Sequence, residues 1–584
     1  MKKQIWLLYL ILCLGYVSVN AQHVPRQYPD YSKSSGFVLD SLDARNPQIV
    51  DNLATLCRVW GYAKYHHPIF ADSTVNVDYE LFGLLPRIVH ADKATRNETL
   101  YNWVKGLGEY TPNKPMYDNA LAGIQCWSTI DLGWTADTVR LGSALSGLLQ
   151  DIRYAEREGS YYVLPAEWVE GFGWQPVRYT NEATYNNITK FESGYCLLAL
   201  FRYWNIIEYF APNMPKTVKP WDDVLTEYIP RMGVDAGNLK TFQQDYMSLI
   251  HEMSDGHAFF PVQDYYFGTR TLPVWTQFLD NKLIVTNPDK VEGLRPGDEI
   301  VSVDGMLVSD RVEDVRKYAT YSNDAGFRQT ARHYPLRTRK EQSTCCYRRN
   351  GKVDSLVINT VLYTDYVWFI DPVKAVQGSF RLLNDSVGYI YSADFTNAML
   401  EDAMNLFRNT KAIIVDLRTY PRTQQWAIGS LVQDYLLEKP ALDVQYSYPT
   451  LAIPGDYYLM PGTPLYKGVA TGGAPQDNPD AYKGKIIALV DESTQSAAES
   501  AVMSLQARPG TIVVGSQTAG TNGNLVLLPL TGGLMTGYSS IGCYYPDGYD
   551  MQQKGVRIDV EIRPTIDGIK AGRDEVLETA LKLL

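Results

Sequence analysis

Cysteine is scarce in this chain. Its 584 residues contain seven cysteines and seven histidines, and the cysteines are scattered over most of the length. Small exported domains that depend on disulfides carry cysteines far more densely. We therefore expect no obligatory disulfide framework. Cys57, Cys126 and Cys196 stand in apolar surroundings, which predicts buried thiols rather than bridges.

Long basic runs are also absent. Lysine and arginine total 54 against 65 aspartate and glutamate, giving a formal net charge of −11. Binding to a nucleic-acid polyanion calls for clustered cations, so the composition argues against nucleic acid as a partner. At roughly 100–200 residues per domain, the length predicts three or four domains.

The N-terminus carries a single apolar run. A lysine pair precedes a largely apolar stretch from Ile5 to Val19, and small residues before Gln22 offer a cleavage site. The run is shorter than the roughly 20 residues of a bilayer span, and the residues before Cys13 do not suit lipidation. The pattern predicts a signal peptide over residues 1–21 and an exported protein, periplasmic or extracellular, without an integral membrane span after cleavage.

The next part of the chain is predicted to be an extended leader (22–50) and a helical region (51–265). Within the helical region, Leu56–Ile88 and Leu200–Met232 are similar to each other. Each combines an aromatic-rich amphipathic helix, a proline-containing loop and a second helix that ends in Pro-Arg. Two copies are too few for a solenoid. We expect duplicated helical hairpins that wall a cleft or form an oligomer interface.

Residues 266–360 change to short strands and turns. A glycine-proline turn leads into the alternating strand Glu299–Val303, and an Asp-Gly pair follows it. The alternative is an ordinary β-hairpin, but this arrangement resembles a PDZ domain. Such domains bind an extended peptide by strand addition, often holding its C-terminal carboxylate on backbone amides. The resemblance implies peptide-binding positions at Leu294 and Gly297.

Residues 361–584 alternate apolar strands with amphipathic helices. This alternation predicts a largely parallel sheet covered on both faces, with a site at the carboxyl ends of the strands. The predicted strands are Val387–Ser392, Ala412–Leu417, Lys485–Val490 and Thr511–Val514, and the predicted helices are Met399–Asn409, Gln425–Leu437 and Ser496–Ala507.

The segment most informative about chemistry is Gly484–Gln506. A buried strand ends near Asp491, and a helix begins near Ser496. A serine at such a junction can be exposed above the sheet edge, where helix N-terminal amides can meet an oxyanion. The alternative is simple capping, since serine, threonine and aspartate are favoured at helix N-caps. Geometry alone favours capping.

The sequence "VDESTQSAAES" resembles the nucleophile segment of the tail-specific (C-terminal processing) serine peptidases, in which the serine before Ala-Ala-Glu is the nucleophile. Further similar segments are "VGYIYSADF", "KAIIVDLRTYP", "VVGSQTAGTNGN" and the C-terminal stretch from Tyr545. The resemblance implies a multidomain α/β chain with a helical N-terminal region, a small PDZ-like β-rich domain and an α/β protease domain. It also implies that Ser496 is the nucleophile.

A serine hydroxyl needs a base to become a nucleophile. One branch of the family uses a lysine, but Thr521 occupies that position here. Another branch, which includes the tricorn core protease and the retinoid-binding repeats, takes a histidine from a "DGH" segment, which here implies His257. A neutral imidazole suits proton transfer near neutral pH. The pair His251-Glu252 lacks the second histidine of a zinc motif, because Asp255 stands there, so no metal or organic cofactor is expected.

The remaining site positions also follow from the resemblance. Gln552 stands where the family carries glutamate or glutamine and would orient the imidazole. The oxyanion donors would be the backbone N–H groups of Ala497 and Tyr420, because Pro421 replaces a position that other members fill with a residue bearing an N–H. We expect an exported endopeptidase acting on extended or unfolded polypeptides that are bound through their C-termini. The alternative is a weak or inactive member that binds a peptide or an apolar ligand.

Overall fold

The computed structural model describes residues 26–157, 159–169, 173–213, 216–260, 263–289, 291–366, 377–421, 426–460 and 462–584. The predicted signal peptide lies outside these residues. The chain divides into two compact units. Unit 1 holds residues up to 252 with 447–460 and 524–536, and unit 2 holds 253–446, 461–523 and 537–584.

Unit 1 is mainly helical. Its helices are α1 (Pro47–His66), α2 (Val77–Ile88), α3 (Lys93–Lys105), α4 (Lys114–Ala120), α5 (Thr138–Ile152), α6 (Ser193–Phe210), α7 (Trp221–Met232) and α8 (Leu239–His251). Its strands are β1 (Cys126–Thr129), β2 (Leu164–Val169), β3 (Gly173–Arg178), β17 (Asp456–Met460) and β20 (Leu525–Leu530), while β16 (Gln445–Pro449) and β21 (Leu534–Ser539) pass from one unit into the other. Strand β1 pairs antiparallel with β17, and β2 with β3.

The two similar hairpins are α1–α2 and α6–α7, and they repeat the same anchoring contact. The indole N–H of Trp60 donates to the Val77 carbonyl at 2.8 Å, and that of Trp204 donates to the Trp221 carbonyl at 2.8 Å. In each case the two residues are 17 positions apart. A Cβ on Gly61, the residue after Trp60, would lie 1.8 Å from the Asn205 side chain, so α1 and α6 are in direct contact there.

The first part of unit 2 is β-rich. Its strands are β4 (Arg270–Thr271), β5 (Trp275–Leu279), β6 (Lys282–Asn287), β7 (Glu299–Val303), β8 (Met306–Leu307), β9 (Arg337–Thr338), β10 (Gln342–Arg349), β11 (Lys352–Asn359) and β12 (Val361–Leu362). Its helices are α9 (Gln263–Phe267), α10 (Val308–Tyr318) and α11 (Asp324–Ala331). The main sheet has the order β11-β10-β7-β6-β5, with β8 on β7, so β5 is an edge strand. Helix α11 packs against β5.

The second part of unit 2 is built on a six-stranded sheet of order β13-β14-β15-β18-β19-β23. Its strands are β13 (Phe380–Asn384), β14 (Val387–Tyr391), β15 (Ala412–Asp416), β18 (Lys485–Val490), β19 (Ile512–Gly515) and β23 (Val560–Glu561). The short strand β22 (Gly542–Tyr544) is not part of this sheet. Only the β13–β14 pair is antiparallel among these neighbours. The predicted, mostly parallel sheet is therefore confirmed.

Helices cover this sheet as the buried strands require. They are α12 (Leu400–Phe407), α13 (Ala427–Leu431, continuing as a π-helical turn to Leu436), α14 (Ala497–Gln506), α15 (Ile566–Lys570) and α16 (Glu575–Leu581). Ile487 and Leu489 of β18 pack with Val576 and Ala580 of α16. Every residue from Ile486 to Val490 is buried, which indicates that both faces are covered.

Two further findings concern the sequence expectations. Cys57 and Cys196 are buried thiols, whereas Cys126 is exposed on β1, so the prediction for Cys126 was wrong. The cause is the short strand β1, whose side chains are exposed or half-buried. Within the described part of the chain, no helix has the length and apolarity to cross a bilayer.

Candidate active site

Ser496 lies at a sharp junction between a strand and a helix. Strand β18 ends at Val490, and α14 begins at Ala497, directly after Ser496. The Ser496 backbone has φ 53° and ψ −115°, a conformation that residues with a side chain rarely adopt. Such a turn presents a nucleophilic hydroxyl above the edge of a sheet and is stable only when surrounding bonds fix it.

Two hydrogen bonds fix this conformation. The Ser496 N–H donates to the Thr521 carbonyl at 2.8 Å and to the Glu499 carboxylate at 3.1 Å. Glu499 is fully buried and also accepts from the Thr518 hydroxyl at 2.5 Å and from the N–H groups of Gly520 (2.8 Å) and Thr521 (3.1 Å). Burial raises the pKa of Glu499 to about 8, although these hydrogen bonds lower it. One carboxyl group thus joins the nucleophile turn to the loop 518–521.

Of the two predicted oxyanion donors, the backbone N–H of Ala497 directly follows Ser496, and Tyr420 contacts Ser496 through its side chain. Ala497 is the first residue of α14, and its N–H is bonded to no other group of the described residues. An unused N–H at a helix N-terminus is suited to bind an oxyanion. The Ser496 hydroxyl is hydrogen-bonded to the Tyr420 hydroxyl, which places Tyr420 at the nucleophile through its side chain.

His257 is held by a short chain of hydrogen bonds. Its Nδ1 lies 2.8 Å from the Ser539 hydroxyl, and that hydroxyl donates to Asp255 Oδ1 at 2.9 Å. Asp255 is buried and also accepts the N–H of Ser539 at 2.6 Å and that of His257 at 3.0 Å. Three donors therefore converge on a single carboxylate.

This arrangement fixes the tautomer of the imidazole. A hydroxyl has one proton, and the Ser539 proton is used in the bond to Asp255. The Ser539 oxygen can then only accept from His257, so Nδ1 carries the ring proton and Nε2 is the basic nitrogen. Burial lowers the pKa of His257, while the charge of Asp255 raises it. The lowered pKa favours the neutral imidazole that a general base requires.

Further hydrogen bonds connect the segments that carry His257 and Ser496. The N–H of Gly256 donates to the Ser322 hydroxyl at 3.0 Å, and that hydroxyl lies 2.7 Å from Thr521 Oγ1. Thr521 in turn accepts the N–H of Ser496. No hydrogen bond joins the Ser496 hydroxyl to the imidazole among the described residues. Catalytic hydrogen bonds are often absent in the ligand-free state and form with substrate.

The structure corrects the expectation for Gln552. Its side chain accepts from the Asn522 N–H at 3.3 Å and donates to the Ser322 hydroxyl at 3.4 Å, and neither of these bonds is to His257. The position next to the imidazole is taken by Ser539, which comes from the end of β21. Gln552 therefore supports the loop around Ser322 and does not orient the imidazole.

The predicted peptide-binding positions are also used differently. Leu294 is 5% exposed and packs in the core of the β-rich part. The N–H of Gly297 donates to the Val285 carbonyl at 2.8 Å, and a Cβ there would lie 2.1 Å from the Lys570 side chain. Leu294 is thus a core residue, whereas Gly297 also lines a cavity of about 710 Å³ bordered by β5 and β6.

Asp255, Ser539, Ser322 and Glu499 are site residues that the sequence alone did not identify. Asp255 and Glu499 stand in the two segments already singled out, and each is buried without a salt bridge to lysine or arginine among the described residues. Ser539 and Ser322 gave no local signal. Across the described residues, no group of three or more His, Cys, Asp and Glu side chains could hold a metal ion.

Comparison with known proteins agrees with this geometry. Residues 386–562 match the model of Peptidase family S41. The structure of mature CPAF complexed with lactacystin matches with a TM-score of 0.51 and 15% identity, covering 67% of this chain and 98% of that chain. Mature CPAF alone gives 0.50 and 15%, covering 67% and 97%.

The photosystem II D1 C-terminal processing protease matches with a TM-score of 0.38 and 14% identity, covering 65% of this chain and 97% of that chain. A search of the curated proteins found no match. At these identities the structural likeness shows the fold, and the matched family model adds the peptidase assignment. Residues 386–562 are therefore similar to peptidase family S41, in agreement with the resemblance of the motifs around Ser496 to the tail-specific proteases.

Proposed function

We propose that this protein is an exported serine endopeptidase that hydrolyses extended or unfolded polypeptides through an acyl-enzyme on Ser496. The observation that carries the proposal is the bond from His257 Nδ1 to Ser539, because it leaves Nε2 as the basic nitrogen. The strained turn at Ser496 and the unused N–H of Ala497 support the same function. Export rests on the N-terminal sequence pattern.

The catalytic steps follow from these positions. His257 takes the proton of Ser496 as the hydroxyl attacks the scissile carbonyl, and the tetrahedral oxyanion accepts from Ala497 and from a second donor on Tyr420. The imidazolium then protonates the leaving amine. Water attacks the acyl-enzyme with His257 again as base, which releases the acid and restores Ser496. Asp255 balances the imidazolium charge through Ser539.

Substrate binding is proposed to involve the β-rich part of unit 2. Strand β5 is the edge of its sheet, and α11 packs beside it. An edge strand next to a helix is the arrangement that PDZ domains use to add a peptide strand. In this proposal the peptide pairs with β5, and its specificity comes from side chains of α11 rather than from Leu294 or Gly297.

A second candidate is a protein of the same fold that binds peptides or apolar ligands without cleaving them. The observation that favours it is the hydrogen bond of the Ser496 hydroxyl to Tyr420 instead of to His257. Pro421, which has no N–H, follows Tyr420 and reduces the donors available to an oxyanion. In such a protein the serine would not be activated.

Labelling with a fluorophosphonate distinguishes the two functions. The mature wild type, Ser496→Ala and His257→Ala are compared with Ser504→Ala, a serine on the same helix that donates to Asp443. We expect labelling of the wild type and of Ser504→Ala, and loss of labelling in the other two variants. Cleavage of an unfolded protein substrate should follow the same pattern.

Two outcomes would contradict the proposed peptidase mechanism. A folded wild type that neither reacts with the probe nor cleaves an unfolded substrate would eliminate the peptidase in favour of the binding protein. Labelling that persists in Ser496→Ala would place the nucleophile elsewhere. Circular dichroism of each variant checks that the fold is retained.

A further inference from the structure

A cavity of about 160 Å³ lies beside the catalytic segments of unit 2. Three of its lining residues are direct neighbours of the catalytic groups. Gly256 precedes His257, Gln495 precedes Ser496, and Thr521 accepts the N–H of Ser496. A substrate whose carbonyl lies at Ser496 therefore has this cavity next to the scissile bond.

The opposite wall belongs to the β-rich part of the same unit. Helix α11 and the turn after it contribute Gly326, Gln329, Thr330 and His333. Aromatic rings complete the lining, and they belong to Phe259, Tyr321, Tyr334 and Tyr363. The cavity thus combines catalytic segments on one side with aromatic and small polar groups on the other.

The cavity carries no formal charge. None of its lining residues is aspartate, glutamate, lysine or arginine. Its single histidine, His333, is buried, and its Nδ1 lies 2.9 Å from the Tyr363 hydroxyl. Burial and the nearby charges of Arg332 and Arg337 hold the pKa of His333 well below its usual value. A charged side chain placed here would lose part of its hydration and would meet no charged lining residue.

Its size sets a second limit. An apolar cavity of about 150 Å³ holds one benzene molecule, so a space of about 160 Å³ admits a phenylalanine or leucine side chain. Alanine would leave most of it empty and would forgo the contacts of the aromatic wall.

We propose that this cavity is the subsite for the substrate side chain beside the scissile bond, and that it selects an uncharged side chain about the size of benzene. The inference rests on the proposed peptidase function and deepens it by naming a substrate class. Gln329 of α11, which is 7% exposed, is the lining residue best placed to change the size of the space without touching the catalytic segments.

The test uses a peptide library whose cleavage products are identified by mass spectrometry, followed by quenched peptides that differ at the selected position. We expect kcat/KM for phenylalanine or leucine to exceed that for alanine, aspartate or lysine by about tenfold or more, the scale of discrimination in an apolar pocket. Gln329→Trp fills the cavity and should reverse the order of phenylalanine and alanine. Gln342→Trp, an exposed glutamine on β10, is the matched control and should leave the order unchanged.

Failure of this inference is distinct from failure of the proposed function. Hydrolysis with no dependence on side-chain size, or an equal loss for all peptides in Gln329→Trp, would overturn the subsite and leave the peptidase standing. If no peptide is cleaved, calorimetric binding to the wild type decides. Tighter binding of the phenylalanine peptide than of its alanine counterpart, lost in Gln329→Trp, supports the subsite, and equal binding of the two rejects it.

Discussion

His257 Nδ1 lies 2.8 Å from the hydroxyl of Ser539, although 282 positions separate the two residues in the chain. The hydroxyl is held in turn by Asp255, two residues before His257. The Ser539 hydroxyl therefore bridges the imidazole of His257 and the carboxylate of Asp255, which both belong to the DGH segment. The orientation of His257 therefore depends on β21, a strand far from the DGH segment in the sequence.

Removing the serine hydroxyl should slow catalysis without preventing folding. In Ser539→Ala the imidazole loses its fixed tautomer and its link to Asp255, and we expect kcat to fall by about 10² with little change in KM, within the range found for acid–base groups. Ser539→Thr retains a hydroxyl and should restore part of the rate. Steady-state kinetics on a quenched peptide provides the measurement.

A matched pair of variants controls for the loss of a buried serine–carboxylate bond as such. The Ser504 hydroxyl, eight residues after Ser496 on α14, donates to the half-buried carboxylate of Asp443 at 2.7 Å. Ser504→Ala and Asp443→Asn should lower stability without the drop in kcat. If Ser504→Ala and Asp443→Asn reduce kcat as much as Ser539→Ala and Asp255→Asn do, Ser539 has no special role in orienting His257.

The pH profile should respond to Asp255. Burial lowers the pKa of His257 and Asp255 raises it. Because the base must be neutral, activity is lost as the pH falls through that pKa, below the usual value of about 6.5. In Asp255→Asn the raising charge is gone, so the acid limb of kcat/KM should move to still lower pH while kcat falls.

The direction of this shift is the decisive result. It requires kcat/KM between pH 4 and 8 for the wild type and Asp255→Asn, with folding checked at each pH. A limb that moves to higher pH would contradict the arrangement described here, since it would mean that Asp255 disfavours the imidazolium. A limb that does not move would assign the ionisation to another group.

Glu499 should be intolerant of a change to glutamine. Its two oxygens receive four donors, three of them backbone N–H groups. In glutamine, an NH₂ group replaces one of these two oxygens. It would face at least one N–H donor and could not accept a hydrogen bond from it. We expect Glu499→Gln to lower the free energy of unfolding by about 1–3 kcal/mol, the penalty for unsatisfied buried polar groups, and to slow fluorophosphonate labelling. Glu492→Gln is the control, because Glu492 is buried but, among the described residues, accepts a single side-chain hydrogen bond, from Gln277.

Gly256 should not tolerate a side chain. A Cβ at this position would lie 2.5 Å from Thr521 Oγ1, and Thr521 holds the N–H of Ser496. Gly256→Ala should therefore displace both catalytic segments and reduce the labelling rate by tenfold or more. The double variant Gly256→Ala/Thr521→Ala removes the clashing oxygen and should recover part of that loss. Additive effects of the two substitutions would show that the contact is unimportant.

Much of the fold followed from local pattern. The strands Lys485–Val490 and Glu299–Val303 coincide with prediction, because continuous apolar runs and flanking turn residues define them. Helix Gln425–Leu437 was less accurate, since its end is a π-helical turn between Val432 and Leu436 that periodicity does not reveal. The family and the nucleophile segment were likewise contained in a short motif.

The sequence by itself determined that a helix begins directly after Ser496, beyond a buried strand, and it identified His257 as the candidate base. Each of these residues lies in a short motif, and the order of residues in that motif is enough for the prediction. The tertiary structure decided which group holds the imidazole. Gln552 was expected by analogy, yet β21 brings Ser539 to His257. A hydrogen bond between residues far apart in the chain depends on how the strands are arranged in space. The spacing of residues along the chain therefore does not predict which side chain contacts His257.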